Sequence, residues 1–317
     1  MREKRKRPSV FRFSIRTMLV LITLIAVFFG TAFNRANRQK LAVKRLRVAN
    51  ADVQYDVATV GTVSLWRGNT TTFTRNGGLV TTPALRPLPS PKSFLQRILG
   101  IDYFHSVTVV NLDAQTVPNF AEIIGAIGAL SDVEWVRLNV GGIEPAELAK
   151  LKSCPRLKSL SLPNTTIFDR HARWLRGMTQ LEHLRAVNEF TDEGLAELEG
   201  HPNLSEIYLS YQESITDKGA VSLATLSKLQ TLDVSSTSIT DVGVQEFRKL
   251  KSLDWLDLSF TKTTDASIDT LVEIAPSDLR LLDTCISNEG ADRLRKLLPG
   301  TEVKHSDARL KHVLDAG

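Results

Sequence analysis

The apolar residues of this chain recur in one repeating unit, seen most clearly over residues 229–252, LQTLDVSSTSITDVGVQEFRKLKS. The unit opens with L-x-x-L-x-L, in which Leu232 and Val234 stand two residues apart and share one face of a predicted strand. Val244, Phe247 and Leu250 then recur every three residues, as on one apolar face of a helix. Strand, turn and helix within 24 residues make a unit too small to bury its apolar faces without neighbouring copies.

Copies of this unit follow one another along the chain, with first positions 23–26 residues apart. These first positions are Val107, Val133, Leu157, Leu181, Leu204, Leu229, Leu253 and, in a degenerate copy, Pro276. A Thr-Asp-x-Gly turn precedes the helix at residues 191–194, 216–219 and 240–243. Either Thr240 or Asp241 is a suitable helix N-cap, because its side chain can accept from a free N–H of the first turn. The first two copies lack this turn.

On these residues the chain resembles the leucine-rich repeat proteins, and in particular the 24-residue bacterial form L-x-x-L-x-L-x-x-T-x-I-T-D-x-G-L. The helix-backed repeats of ribonuclease inhibitor and F-box proteins are related to it. The resemblance implies an α/β solenoid, with a curved parallel sheet inside and helices outside. We therefore expect about eight repeats over 107–298, an N-terminal cap over 93–106, and a C-terminal cap and tail over 299–317.

The amino-terminal segment differs from the repeats in charge and hydropathy. Residues 1–48 hold 13 of the 40 basic residues and one of the 35 acidic residues. A basic tail, 1–16, precedes 17 uncharged residues, TMLVLITLIAVFFGTAF, which as a helix span about 25 Å against a hydrocarbon core of about 30 Å. This run predicts a transmembrane helix over 17–34, and it resembles the anchor of single-pass bacterial repeat proteins. A cleaved signal peptide and a buried soluble helix are the alternatives.

The flanks of this run carry nearly equal charge, with seven basic residues before it and six after it. The short, strongly basic tail favours an amino end on the inside, which makes the repeat domain of this single-pass membrane protein extracytoplasmic. Residues 35–57 predict a basic juxtamembrane helix and a short strand. That helix either docks on anionic headgroups or continues the anchor helix in solvent. Residues 58–92, rich in Thr, Gly and Pro, predict an irregular spacer.

Motifs for catalysis or metal binding do not occur in the sequence. The six histidines show no H-E-x-x-H spacing, and there is neither a Walker A loop nor a G-x-S-x-G elbow. The repeated Asp192, Asp217 and Asp241 are interpreted as N-caps. Cys154 and Cys285 lie too many repeats apart for a disulfide. We expect no enzyme activity, no cofactor, no metal and, because the repeats are mildly acidic, no nucleic-acid partner.

In repeats of this class, positions three, five and seven of each unit face away from the core, on the concave side of the sheet. The predicted binding residues at these positions are Trp135, Arg137, His183, Arg185, Tyr208, Asp233, Trp255 and Asp257. We expect them to be exposed and to bind a protein or peptide, with the neighbouring aspartates favouring a basic patch on the partner. The chain is then a membrane-anchored, non-enzymatic interaction or scaffold module.

Other interpretations of this face stay open. It is a solvated surface with incidental aromatic residues, or it binds a glycan or another small ligand. Two further hypotheses are a ubiquitin-ligase-like substrate adaptor and an enzyme with a site within residues 50–104. The sequence gives neither the identity of the partner nor the oligomeric state.

Overall fold

A computed structural model describes residues 15–55, 70–73, 79–82, 106–113, 120–141, 144–163, 169–186 and 190–306. Ten strands form one sheet, in which β1 is antiparallel to β4 and each later neighbour is parallel to the strand before it. The strands of this sheet are β1 (Asp52–Tyr55), β4 (Val107–Asp113), β5 (Trp135–Asn139), β6 (Ser159–Leu162), β7 (His183–Ala186), β8 (Glu206–Tyr208), β9 (Thr231–Asp233), β10 (Trp255–Asp257), β11 (Asp278–Leu281) and β12 (Glu302–His305).

Helices follow the parallel strands and cover one side of the sheet, as the repeat pattern predicts. In chain order the helices are α1 (Ile15–Val48), α2 (Phe120–Gly128), α3 (Pro145–Leu148), α4 (Asp169–Leu175), α5 (Asp192–Ala196), α6 (Asp217–Leu223), α7 (Asp241–Glu246), α8 (Ile268–Ile274) and α9 (Asn288–Leu297). Short 3-10 turns lie at Ala149–Ser153, Phe247–Lys249 and Asp265–Ser267. The predicted α/β solenoid is confirmed.

The strand register confirms the alignment of the repeats. Leu232 pairs with Leu256 and Leu256 with Leu279, so the fourth position of each unit forms one column. These three side chains are fully buried in a core between the strands and the helices, where Phe247 of the repeat helix is also fully buried. The degenerate eighth copy keeps the register, and β12 adds a ninth parallel strand after it.

Where it occurs, the Thr-Asp-x-Gly turn joins its repeat to the one before it. Thr240 caps its own helix, because its hydroxyl accepts from Val242 N at 3.2 Å. The carboxylate of Asp217, one repeat earlier, accepts from Thr240 N at 2.8 Å, Thr240 Oγ1 at 2.7 Å and Gly243 N at 2.9 Å. The same arrangement links Asp192 to the following turn. The interpretation of these aspartates as N-caps is therefore wrong: threonine supplies the cap, and aspartate forms a ladder between repeats.

Glycine completes the ladder by leaving room for the carboxylate. A Cβ atom at Gly243 would lie 2.5 Å from Asp217 Oδ1, and one at Gly219 would lie 2.6 Å from Asp192 Oδ1. Both approaches are far shorter than a van der Waals contact. Any side chain at these glycines would displace the carboxylate that the turn binds.

The carboxyl half of helix α1 packs against the first repeat. Ala42, Val43 and Leu46 are buried in the common core. Gln39 Oε1 accepts from Val107 N at 3.2 Å, and Arg45 Nε lies 3.2 Å from an oxygen of the Glu122 carboxylate. With β1, this half of the helix seals the amino-terminal end of the solenoid, a role predicted for residues 93–106. Residues 93–105 lie outside the described residues, so the cap predicted there stays a prediction, and the predicted basic helix has one face packed on the first repeat.

The amino half of helix α1 leaves apolar side chains exposed. Leu19, Val20, Ile22, Leu24 and Val27 are between 52% and 61% exposed. Side chains at 15–18, 21, 25, 28 and 29 lie outside the described part. Within the residues that are described, no helix combines the length and the hydropathy that a membrane crossing requires. The predicted transmembrane helix over 17–34 is not supported by this finding.

The predicted spacer, 58–92, contains a two-stranded antiparallel hairpin. Its strands are β2 (Thr70–Phe73) and β3 (Leu79–Thr82). The remainder of that segment, most of the basic tail 1–16 and residues 307–317 lie outside the described residues.

Candidate functional site on the concave face

The concave face consists of two columns of side chains, at positions three and five of the parallel strands. In the first column Trp135 pairs with Ser159 and Ser159 with His183. In the second, Arg185 pairs with Tyr208 and Tyr208 with Asp233. Side chains alternate between the two faces of a strand, so both columns lie opposite the buried leucines. All eight predicted binding residues belong to these columns.

A stacked pair of rings lies in the amino-terminal half of this face. The rings of Trp135 and His183 are 5.5 Å apart between centroids and inclined by 22°. The strand between them contributes Ser159, whose small side chain leaves space for the contact. His183 Nδ1 lies 3.0 Å from a carboxylate oxygen of Glu206, a close approach without the geometry of a hydrogen bond.

A row of aromatic and arginine side chains crosses the carboxyl-terminal half, from β7 to β11. The Arg185 guanidinium carbon lies 5.7 Å from the centroid of the Tyr208 ring. The Tyr208 and Trp255 centroids are 6.2 Å apart, and the Arg280 guanidinium carbon lies 4.8 Å from the Trp255 centroid. We call these four residues the aromatic row. The two cation–π contacts and the ring pair stabilise one another's positions.

Arg280 was not among the predicted site residues. It belongs to the degenerate copy that begins at Pro276, where the repeat pattern is weakest. Its position five is nevertheless in register with Asp257 of the preceding strand. Aligning this copy with the preceding, more regular unit places Arg280 at position five and therefore on this face.

Two aspartates lie beside the aromatic row. Asp233 and Asp257 are register partners on β9 and β10. Asp233 Oδ1 accepts from Ser235 N at 3.0 Å and from Ser235 Oγ at 2.6 Å, while Asp257 Oδ1 accepts from Ser259 N at 2.9 Å. Burial raises the pKa of both carboxyl groups, and the neighbouring Asp233 raises the pKa of Asp257 further. The pair is fixed by its own strands but is poorly solvated, so it attracts positive charge.

Two of the predicted residues are less exposed than expected. Trp255 and Asp257 are each 8% exposed, whereas the other six predicted residues are half-buried. Trp255 lies between the Tyr208 ring and the Arg280 guanidinium, which cover its faces. Its indole Nε1 is buried and has no hydrogen-bond acceptor within the described residues. The expectation that these two side chains lie open to solvent is wrong.

A second group of exposed side chains lies where the same strands end, and it was not predicted. Tyr211 and Phe260, at the eighth position of their units, are 71% and 54% exposed, and Leu282 beside them is also exposed. The backbone is left-handed at this position, with φ of 63° at Tyr211 and 59° at Phe260. We call these three residues the edge ridge. The sequence did indicate this group, because the eighth position is polar in the neighbouring copies, as Ser236 and Asp283, but aromatic at Tyr211 and Phe260.

Across the described ranges, no three His, Cys, Asp or Glu side chains are grouped as ligands of a metal ion. Both cysteines are free, as predicted, with Cys154 buried and Cys285 exposed. Burial raises the pKa of the Cys154 thiol to about 12, so it is not a reactive thiolate at neutral pH.

One family model matches part of the repeat array. The model of the leucine rich repeat family matches residues 202–262. No curated protein matches the sequence. Among solved structures, the plant peptide hormone receptor RGFR1 in complex with RGF2 aligns at 16% identity with a TM-score of 0.32, over 51% of this chain and 30% of that receptor chain. The alignment thus spans less than a third of the receptor, and residues 202–262 are similar to leucine-rich repeats.

Proposed function

We propose that this chain is a non-enzymatic module that binds a protein or peptide on its concave face. The observation that carries the proposal is the aromatic row, Arg185, Tyr208, Trp255 and Arg280, which crosses five consecutive strands. Tyr, Trp and Arg dominate binding energy at protein interfaces because each buries a large area and still offers a polar contact. The spacing of the repeats and their Thr-Asp-x-Gly turns support the 24-residue bacterial class for this array.

Rigidity supports the same conclusion. The side chains of the row extend from a continuous parallel sheet, and each contacts the next. A surface that is already ordered loses little conformational entropy when a ligand binds to it. The row therefore has the chemistry and the order of an interface centre.

Affinity capture with the full-length chain, followed by calorimetry with the identified partner, tests this function. Replacing Arg185 and Tyr208 with Ala should weaken binding by about 2 kcal/mol or more, which is roughly thirtyfold in Kd. These two residues are the better choice because both are half-buried, whereas Trp255 is almost fully buried and its loss would also disturb folding. The control is Lys249→Ala on the convex side, which should bind like the parent. Equal affinity of the double variant and the parent would refute the proposal.

We further propose that the amino half of helix α1 attaches the array to a lipid bilayer, with the repeats outside the cytoplasm. Its support is the uncharged run over 17–33 between basic flanks, together with exposed apolar side chains such as Leu24 and Val27. The full-length chain should float with vesicles in a density gradient, and Leu24→Arg with Val27→Arg should abolish flotation. Protease added to intact spheroplasts should then digest the repeats. Digestion only after lysis would reverse the orientation, and flotation of the arginine variant would refute the attachment.

A further inference from the structure

The edge ridge holds two bulky aromatic residues in a backbone conformation that disfavours them. A left-handed φ brings Cβ against the backbone, and only Gly, Asn and Asp adopt it readily. The sequence places Asn164, Asn188 and Asp283 at the same eighth position of other units, where Tyr211 and Phe260 stand in theirs. The two aromatic residues therefore depart from the residue types that this backbone favours.

Burial of the rings does not compensate for this conformation. Tyr211 is 71% exposed and Phe260 is 54% exposed, so neither ring fills the core. Residues kept in sparsely populated conformations concentrate at functional sites, because folding alone does not select them. Exposed apolar side chains that lie together mark an interaction surface.

The backbone of the ridge is held rigidly. Tyr211 N donates to Ser235 O of the next repeat at 3.0 Å, and Phe260 N donates to Leu282 O at 2.7 Å. The two aromatic residues stand two repeats apart, which at about 4.8 Å per strand is roughly 10 Å. Three residues of an extended polypeptide span about the same distance.

The concave face next to the ridge is negative. Over β9 to β12, the two columns contain Asp233, Asp257, Asp278 and Glu302 but only two basic residues, Arg280 and Lys304. Lys304 Nζ lies 2.9 Å from one Asp278 oxygen and 3.2 Å from a Glu302 oxygen, and Arg280 Nε lies 3.4 Å from the other Asp278 oxygen, so Asp278 and Glu302 are paired and the unpaired negative charge is that of Asp233 and Asp257. Both cations are therefore already engaged beside the acidic pair. A ligand that complements this surface carries positive charge.

We propose that the edge ridge and the acidic pair Asp233 and Asp257 form one docking surface for an extended polypeptide segment. The segment places bulky apolar side chains on Tyr211, Phe260 and Leu282, and a Lys or Arg side chain over the acidic pair. Position eight follows position five, the last residue of β8 and of β10, by three residues, so the two lie at most about 10 Å apart, within reach of a long basic side chain. This inference rests on the proposed function and names the ligand class for the same face.

Selection from a random octapeptide phage library against the immobilised full-length chain tests it. The selected peptides should share a Lys or Arg close to aromatic or aliphatic residues. One synthesised peptide then gives Kd values by fluorescence anisotropy. The variant carrying Tyr211→Asn and Phe260→Asn should bind at least about tenfold more weakly, and its Tm should equal or exceed that of the parent because Asn suits the left-handed backbone. The control is Val242→Asn, which removes an apolar side chain 61% exposed on helix α7 and should leave the Kd unchanged.

Four results would overturn the inference. If selected peptides lack basic residues, the acidic pair does not recognise the ligand. If they bind the Asn variant as tightly as the parent but do not bind the Arg185→Ala, Tyr208→Ala variant, the ridge is not used and the proposed function stands. If the Asn variant has a lower Tm than the parent, the rings serve folding. If peptides bind the Asn variant and the Arg185→Ala, Tyr208→Ala variant both as tightly as the parent, the inference and the proposed function fail together.

Discussion

Replacing Asp217 with Ala removes the acceptor of three hydrogen bonds that join two consecutive repeats. These come from Thr240 N at 2.8 Å, Thr240 Oγ1 at 2.7 Å and Gly243 N at 2.9 Å. Gly243 is buried, so its N–H is left without a partner, whereas the half-buried Thr240 can be partly hydrated. An orphaned buried donor costs about 1–3 kcal/mol. With smaller losses at Thr240, we expect Asp217→Ala to lower the free energy of unfolding by about 3 kcal/mol.

The isosteric Asp217→Asn separates charge from shape. Its amide oxygen can still accept from Thr240 N and Gly243 N, but its NH₂ group replaces the oxygen that faced Thr240 Oγ1. Hydrogen bonds to an ionised acceptor are about twice as strong as neutral ones. We therefore expect Asn to cost about 1–1.5 kcal/mol, between the parent and Ala.

Urea unfolding of the full-length chain, monitored by circular dichroism, measures these losses. At an unchanged slope m, a lower midpoint urea concentration reports a lower free energy of unfolding. The matched control is Asp292→Ala, an aspartate on helix α9 whose side chain is 67% exposed. It should change stability by less than about 0.5 kcal/mol. A loss for Asp217→Ala no larger than that of the control would refute the ladder, and an equal loss for Ala and Asn would refute the role assigned to the retained oxygen.

Three further substitutions test the core, the glycine and the acidic pair. Leu256→Ala removes a fully buried side chain and should cost about 2–5 kcal/mol in the same melts. Gly243→Ala places Cβ 2.5 Å from Asp217 Oδ1 and should cost about 2 kcal/mol, with a smaller cost when Asp217 is already Ala. Asp257→Asn should raise Tm at pH 7, because burial raises the folded-state pKa of Asp257 and its charge opposes folding above that pKa. This gain should disappear as the pH falls through the raised pKa, and an unchanged gain at acidic pH would contradict it.

Repeat spacing alone was sufficient to predict the strand columns. Each unit carries its own apolar pattern, and aligning the patterns places Leu232 beside Leu256 without any knowledge of the structure. The role of Asp217 could not be obtained in this way. Thr, Asp and Gly are neighbours within one unit, and a helix cap is a sufficient local explanation for them. The partner of Asp217 lies 23 residues away, and only the stacking of units brings it close.

Exposure was harder to predict than position. Trp255 is buried by Tyr208 and Arg280, which come from other strands, and no pattern within its own unit shows this. The apolar residues at the end of helix α1 are a similar case. Val43 and Leu46 alternate with basic residues, a pattern compatible with lipid, water or a protein surface. In the structure these two side chains pack on the first repeat, because the apolar end of a solenoid has to be covered.

The ladder between repeats makes the units interchangeable. The units that begin at Leu181, Leu204 and Leu229 are joined by two links in which the same aspartate oxygens accept from the same threonine and glycine atoms. Excision of residues 217–240 would join Thr216 to Asp241 and restore a Thr-Asp-Val-Gly turn, with Gly243 in the place of Gly219. Duplication of the same 24 residues would join Thr240 to a second Asp217 and would also preserve the turn. Recombination can therefore lengthen or shorten the concave face by one strand, about 4.8 Å, at a time. The length of the face can then match that of a ligand while the Thr-Asp-x-Gly contacts between repeats stay the same.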